Sequence, residues 1–167
     1  MLGKVLGTMV AVVVTASLAH GAPPAPAGGA AAIAKKVERG RYLVRIAGCN
    51  DCHTAGYAAA AGKVPEAQWL LGDTLGWRGA WGTTYAANLR LKMSKVSEKE
   101  WIASVEKLQT RPPMPWFSLR DMTKADLAAI YRFIKQLGPA GAAAPAFVAP
   151  GSEPKPPFVQ YPLPPKK

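Results

Sequence analysis

The chain has 167 residues, 49% of them hydrophobic, with 21 Lys and Arg against 10 Asp and Glu and a formal net charge of +11. That length holds one core with extensions and is short for two domains. The basic residues recur from Lys35 to Lys135 without a zinc finger, an RNA-binding aromatic signature or a concentrated basic helix, which argues against nucleic acid as partner and fits the steering of an acidic protein.

Residues 1–21 combine Lys4, an apolar run from Val5 to Leu18 and small residues at Ala19 and Gly21, the pattern of a secretory signal without a twin-arginine pair. The apolar run is shorter than the roughly 20 residues a membrane-spanning helix needs. Export is therefore expected, with membrane contact only if the segment stays uncleaved. Cleavage is expected after Ala19 or Gly21; the second site removes His20 and leaves His53 as the sole histidine.

Residues 22–32, Ala-, Pro- and Gly-rich without apolar periodicity, read as a flexible linker. A helix is predicted from Ile33, with Ile33, Val37, Gly40 and Val44 on one stripe, Leu43 and Ala47 beside it, and an end near Gly48. Residues 55–87 carry Trp69, Trp77 and Trp81 but neither helical period nor strand alternation, and read as an irregular wrap. Ser97 and Glu100 form a capping box ahead of Trp101, Ile102, Val105 and Leu108, predicting a second helix to about Leu108. Thr123 and Asp126 open a third, with Leu127, Ile130, Tyr131, Ile134 and Leu137 on its apolar face and Gly138-Pro139 as the stop. Residues 139–167, with prolines at short intervals, favour an extended tail, either solvated or laid across the body. The expected architecture is an all-α domain over residues 33–138, with three main helices and no convincing strand.

Residues 48–54, GCNDCHT, hold both cysteines, and His53 follows the second. Two thiols separated by two residues on a helical turn can add to the two vinyl groups of one haem, and the imidazole next in sequence can ligate the iron. Cys49 and Cys52 are thus the candidate attachment points and His53 the candidate iron ligand. Zinc would lack a fourth ligand in the mature chain. A redox dithiol would need a βαβ setting that the sequence does not show, and a disulfide would close only a tiny loop. A bulky apolar cofactor would also supply mass to a core lean in large aliphatic residues.

With no second histidine, a thioether is the expected ligand on the opposite face of the iron. Met93, Met114 and Met122 remain after the signal. Met114 is the candidate, because Pro113 and Pro115 stiffen its loop. Met122 beside a helix cap reads as a hydrophobic staple, and Met93 as packing or surface.

These residues resemble class I monohaem cytochrome c, in particular the exported bacterial type associated with periplasmic dehydrogenases and respiratory chains. The resemblance lies in VERGRYLVRIAGCNDCHT, GTTYAANL and RPPMPWFSLRDMTKADLAAIYRFIKQLGP. It implies a cytochrome c-like fold around one covalent haem c, a periplasmic location and one-electron transfer without substrate turnover. The implied partners are redox proteins with acidic docking surfaces, or a periplasmic dehydrogenase of which this chain is a subunit. A haem sensor or enzyme with a labile sixth ligand is the remaining alternative. The resemblance further implies a crossing of first and last helices at Gly40, against Tyr131 or Ile130. Pro65 would offer its carbonyl to His53, and Trp77, Trp81, Tyr85 and Asn88 are candidates to contact the ring or its propionates. Leu89-Arg90-Leu91-Lys92 departs from the family pattern and makes that surface basic, and the tail lies outside the resemblance.

Overall fold

The computed structural model describes residues 27–163; the expected signal, the first residues of the linker and the last four residues of the tail lie outside them. Helix α1 (Ala27–Ile46) begins ahead of Ile33, so residues 27–32, expected as flexible linker, are helical. Ala30, Ala31 and Ala32 have the highest intrinsic helix propensity and extend a helix anchored further along. Val37, Gly40, Leu43 and Val44 are buried as the stripe requires, whereas Ile33 is 58% exposed. Ala47 and Gly48 turn the chain, with Gly48 at φ 71°, into the short α2 (Cys49–His53).

Helix α6 (Lys124–Leu137) is the central element, with α1, α3 (Leu89–Ser94) and α4 (Glu98–Glu106) packed against it. Its cap is the expected one: the Asp126 backbone N–H donates to Thr123 Oγ1 at 3.1 Å. On α4 the expected capping box is also complete, with Glu100 N–H donating to Ser97 Oγ and Ser97 N–H to the Glu100 carboxylate. Leu127, Ile130, Phe133 and Ile134 are almost fully buried between these helices, each worth about 1.5–3 kcal/mol in apolar transfer.

The crossing of α1 with α6 falls at Gly40, but its partners are Ala129 and Phe133 rather than Tyr131 or Ile130. A Cβ on Gly40 would lie 2.0 Å from the Ala129 carbonyl oxygen and 2.8 Å from Phe133 Cβ. Tyr131 is turned toward α4, its ring 6.1 Å from that of Trp101 and its hydroxyl donating to the Val96 carbonyl at 2.8 Å.

The expectation of an all-α domain with three helices is corrected in two ways. Short helices α3 and α5 (Trp116–Arg120) join the expected ones. A three-stranded sheet also forms, in the order β2-β1-β3. Strands β1 (Gly76–Gly79) and β2 (Gly82–Tyr85) make an antiparallel hairpin inside the supposed irregular wrap, and β3 (Phe158–Gln160) adds in parallel to β1. Strands this short show no alternation to read, and the partner of β1 comes from the far end of the chain.

The tail is therefore laid across the body. Thr83 and Val148 exchange backbone hydrogen bonds of 2.8 and 3.0 Å, and Tyr161 N–H donates to the Arg78 carbonyl at 2.8 Å. The Arg78 guanidinium grips Glu153 through two bonds of 2.8 and 2.7 Å. No described helix is long and apolar enough to cross a membrane.

Candidate functional site

Helix α2 is a single turn, and it carries Cys49, Cys52 and His53 together. Both thiols are free and half-buried. Burial pushes the Cys49 thiol up to about 11, and it raises that of Cys52 as well, with Asp51 adding to both. Neither sulfur is activated as the thiolate that a redox dithiol needs.

His53 is 9% exposed, and burial holds its pKa below the usual imidazole value, so the ring is neutral near pH 7. Its Nδ1 lies 2.7 Å from the carbonyl oxygen of Ala87. A carbonyl only accepts, so Nδ1 carries the proton and Nε2 keeps its lone pair. This is the arrangement of a ligating imidazole, oriented by a carbonyl behind it. The orienting partner is Ala87, beyond β2, in place of the expected Pro65; the segment ahead of β1 is also tied to α2, with Gly72 N–H donating to the His53 carbonyl at 2.8 Å.

Asn50, a spacer in the motif, is fully buried. Its Oδ1 accepts from Thr54 Oγ1 at 2.7 Å, and Thr54 Oγ1 accepts from Leu70 N–H at 2.8 Å. The turn is thereby locked to the following loop. Nothing in the motif's spacing marked Asn50 for this role.

Of the three methionines among the described residues, Met93 is 2% exposed in the core and Met122 packs against that core. Met114 is half-buried in the loop between α4 and α5 and stands outside the core cluster. It is on a different segment from α2, and the two are linked through the residues around β2. His53 is bonded to Ala87, while Thr84 Oγ1, three residues earlier, donates to the Pro112 carbonyl at 2.8 Å. That separation is about 10 Å of extended chain.

The other residues singled out from the sequence divide. Trp81 folds over Gly79, where a Cβ would meet the indole at 2.4 Å, and its Nε1 is buried with no hydrogen-bond partner among the described residues. Its ring and that of Trp77 lie 5.2 and 6.2 Å from Tyr161. Tyr85 is half-buried at the end of β2. Asn88 is fully engaged in structure: its Oδ1 caps α3 by accepting from Leu91 N–H at 3.0 Å, and its Nδ2 donates to the carbonyls of Ala140 and Ala142.

Arg90, expected on a basic surface, is 7% exposed. Its guanidinium donates to the carbonyls of Gly138, Leu137 and Ala67, closing the C-terminus of α6. The surface is basic for another reason: Lys and Arg outnumber Asp and Glu by 21 to 10, and seven of the carboxylates are already taken up in ion pairs. Lys35, Lys36, Arg45, Lys63, Lys92 and Lys95 remain exposed without an acidic partner among the described residues.

The donor set fits a covalently attached haem. One helical turn presents two thiols and a neutral imidazole with a free Nε2, and in the turn between β1 and β2 the buried Trp81 Nε1 lacks an acceptor among the described residues. Among the described residues no three His, Cys, Asp or Glu side chains are placed to hold a bare metal ion, and haem, held by two thioethers and axial ligands, requires no such cluster. No protein-family model matches this chain, and neither a curated protein nor a solved structure does.

Proposed function

We propose that the protein is an exported, periplasmic one-electron carrier of the class I cytochrome c type, with one haem c. The observation that carries the reading is the hydrogen bond from His53 Nδ1 to Ala87, which leaves Nε2 free beside two unactivated thiols on the same turn. Cys49 and Cys52 would hold the group through thioether bonds, and His53 and Met114 would ligate its iron. When bound, such a haem supplies a one-electron iron couple, and His/Met ligation favours its reduced form.

The chain's own residues orient the imidazole through Ala87, keep it neutral by burial and stiffen the Met114 loop with Pro113 and Pro115. Unpaired exposed lysines steer an acidic redox partner, either a free protein or a periplasmic dehydrogenase.

Optical spectra of the exported protein beside Met114→Ala test this. The expected result is haem that survives denaturation and acid extraction, with a sulfur-to-iron charge-transfer band that the variant lacks. Protein that leaves the periplasm without covalent haem would overturn the reading. A band that survives in Met114→Ala would remove Met114 as ligand.

A further inference from the structure

The Met114 loop is moored at its start by two parts of the molecule distant in sequence. One is the Thr84 hydroxyl, which donates to the Pro112 carbonyl at 2.8 Å. The other is Phe147, whose ring centroid lies 3.9 Å from the guanidinium carbon of Arg111. Phe147 belongs to the tail, and the tail is fixed at that point by the paired backbone bonds between Thr83 and Val148.

Successive residues of β2 thus hold the tail and the Met114 loop side by side. Gly82 makes room for this: at φ 96° it is in the left-handed region, and a Cβ there would lie 2.4 Å from the Val148 carbonyl oxygen and 2.9 Å from the Phe147 ring. Phe147 is 40% exposed, so its placement is not explained by burial in the core. A guanidinium over an aromatic face supplies the attraction that orders it.

We propose that Phe147 is a positioning residue for the Met114 loop, acting through Arg111, so that the C-terminal segment controls how readily the sixth iron position opens to an outside ligand. This rests on Met114 being that ligand. Holding Arg111 restrains the loop that begins there; releasing it lets the thioether leave the iron more often. An exogenous ligand captures the iron in proportion to the open population.

The test is titration of the full-length oxidised haem protein with imidazole, followed through loss of the sulfur-to-iron band. Phe147→Leu, which keeps apolar bulk without the π face, and Arg111→Gln are each expected to raise apparent imidazole affinity about threefold, the range of an exposed cation–π contact. Phe147→Trp is expected to stay at the wild-type value, and the Phe147→Leu, Arg111→Gln double variant to match the single ones.

A Phe147→Leu protein with a lowered melting temperature but unchanged imidazole affinity would make Phe147 merely structural and overturn the inference. Additive effects in the double variant would overturn it as well. Met114→Ala, run alongside, separates the two readings. If that variant keeps the band, the ligand assignment falls and takes this inference with it. If it loses the band while Phe147→Leu binds imidazole like the wild type, only the positioning role falls.

Discussion

His53 Nδ1 sits 2.7 Å from the carbonyl oxygen of Ala87, a residue 34 positions further along the chain. The contact fixes the tautomer of the imidazole and aims it with backbone, which no side-chain substitution at position 87 removes. On the proposed function, His53→Ala is therefore expected to retain haem on Cys49 and Cys52 but lose the low-spin spectrum of an imidazole-ligated iron. Haem staining of the denatured protein together with the optical spectrum checks both halves. An unchanged spectrum would mean that His53 is not a ligand.

Gly40 provides a test whose sign is informative. On an exposed helix face Gly→Ala stabilises by up to about 1 kcal/mol through helix propensity. At the crossing, the new Cβ would fall 2.0 Å from the Ala129 carbonyl oxygen, and the two helices must separate. Gly40→Ala is expected to destabilise by about 1–3 kcal/mol, the usual range for overpacking. Chemical denaturation measures it, and a stabilised variant would contradict the crossing.

Arg90 closes the end of α6 with bonds to the Leu137 and Gly138 carbonyls and ties it to Ala67 with a third. Arg90→Met keeps much of the apolar stem and leaves those acceptors without their donor. The expected loss is about 2–3 kcal/mol, with faster amide exchange in the last turn of α6. A variant as stable as the parent would show that water replaces the guanidinium at no cost.

The α4 capping box carries a pH dependence. Bonds from Ser97 hold the Glu100 carboxyl below its ordinary value. A carboxylate depressed in the folded state contributes stability that is fully present above its unfolded pKa and fades as pH falls through the folded one. Wild type is thus expected to exceed Glu100→Ala in denaturation midpoint at pH 7, with the gap narrowing as pH drops below about 4.5. A constant gap across that range would rule out the charged cap as its source.

Because most exposed lysines are unpaired while most carboxylates are in ion pairs, electron transfer of the proposed kind with an acidic partner should slow as salt is added. Exposed charges are screened beyond about 8–10 Å at physiological ionic strength. Stopped-flow rates with an acidic acceptor protein across an ionic-strength series give the slope. A flat response would remove electrostatic steering from the proposed function.

The sequence by itself determined what is local. Cys49, Cys52 and His53 share one turn because they fall within five consecutive residues of a helix. The caps at Ser97 and Thr123 were legible because capping couples residues three apart. The buried stripe of α6 was legible because its period repeats over several turns.

Tertiary structure decided every partner across a long interval. Ala87 rather than Pro65 stands behind His53, since a backbone carbonyl leaves no mark on residue type. Ala129 and Phe133 rather than Tyr131 or Ile130 meet Gly40, because the rotation of α6 is set by all its neighbours together. Arg90 is buried because it meets the end of α6, 47 residues away, although its sequence context reads as surface. The tail becomes a strand on β1 for the same reason: hydrogen-bonding edges are properties of the backbone, and only the folded chain shows which edge is left for Phe158–Gln160 to complete.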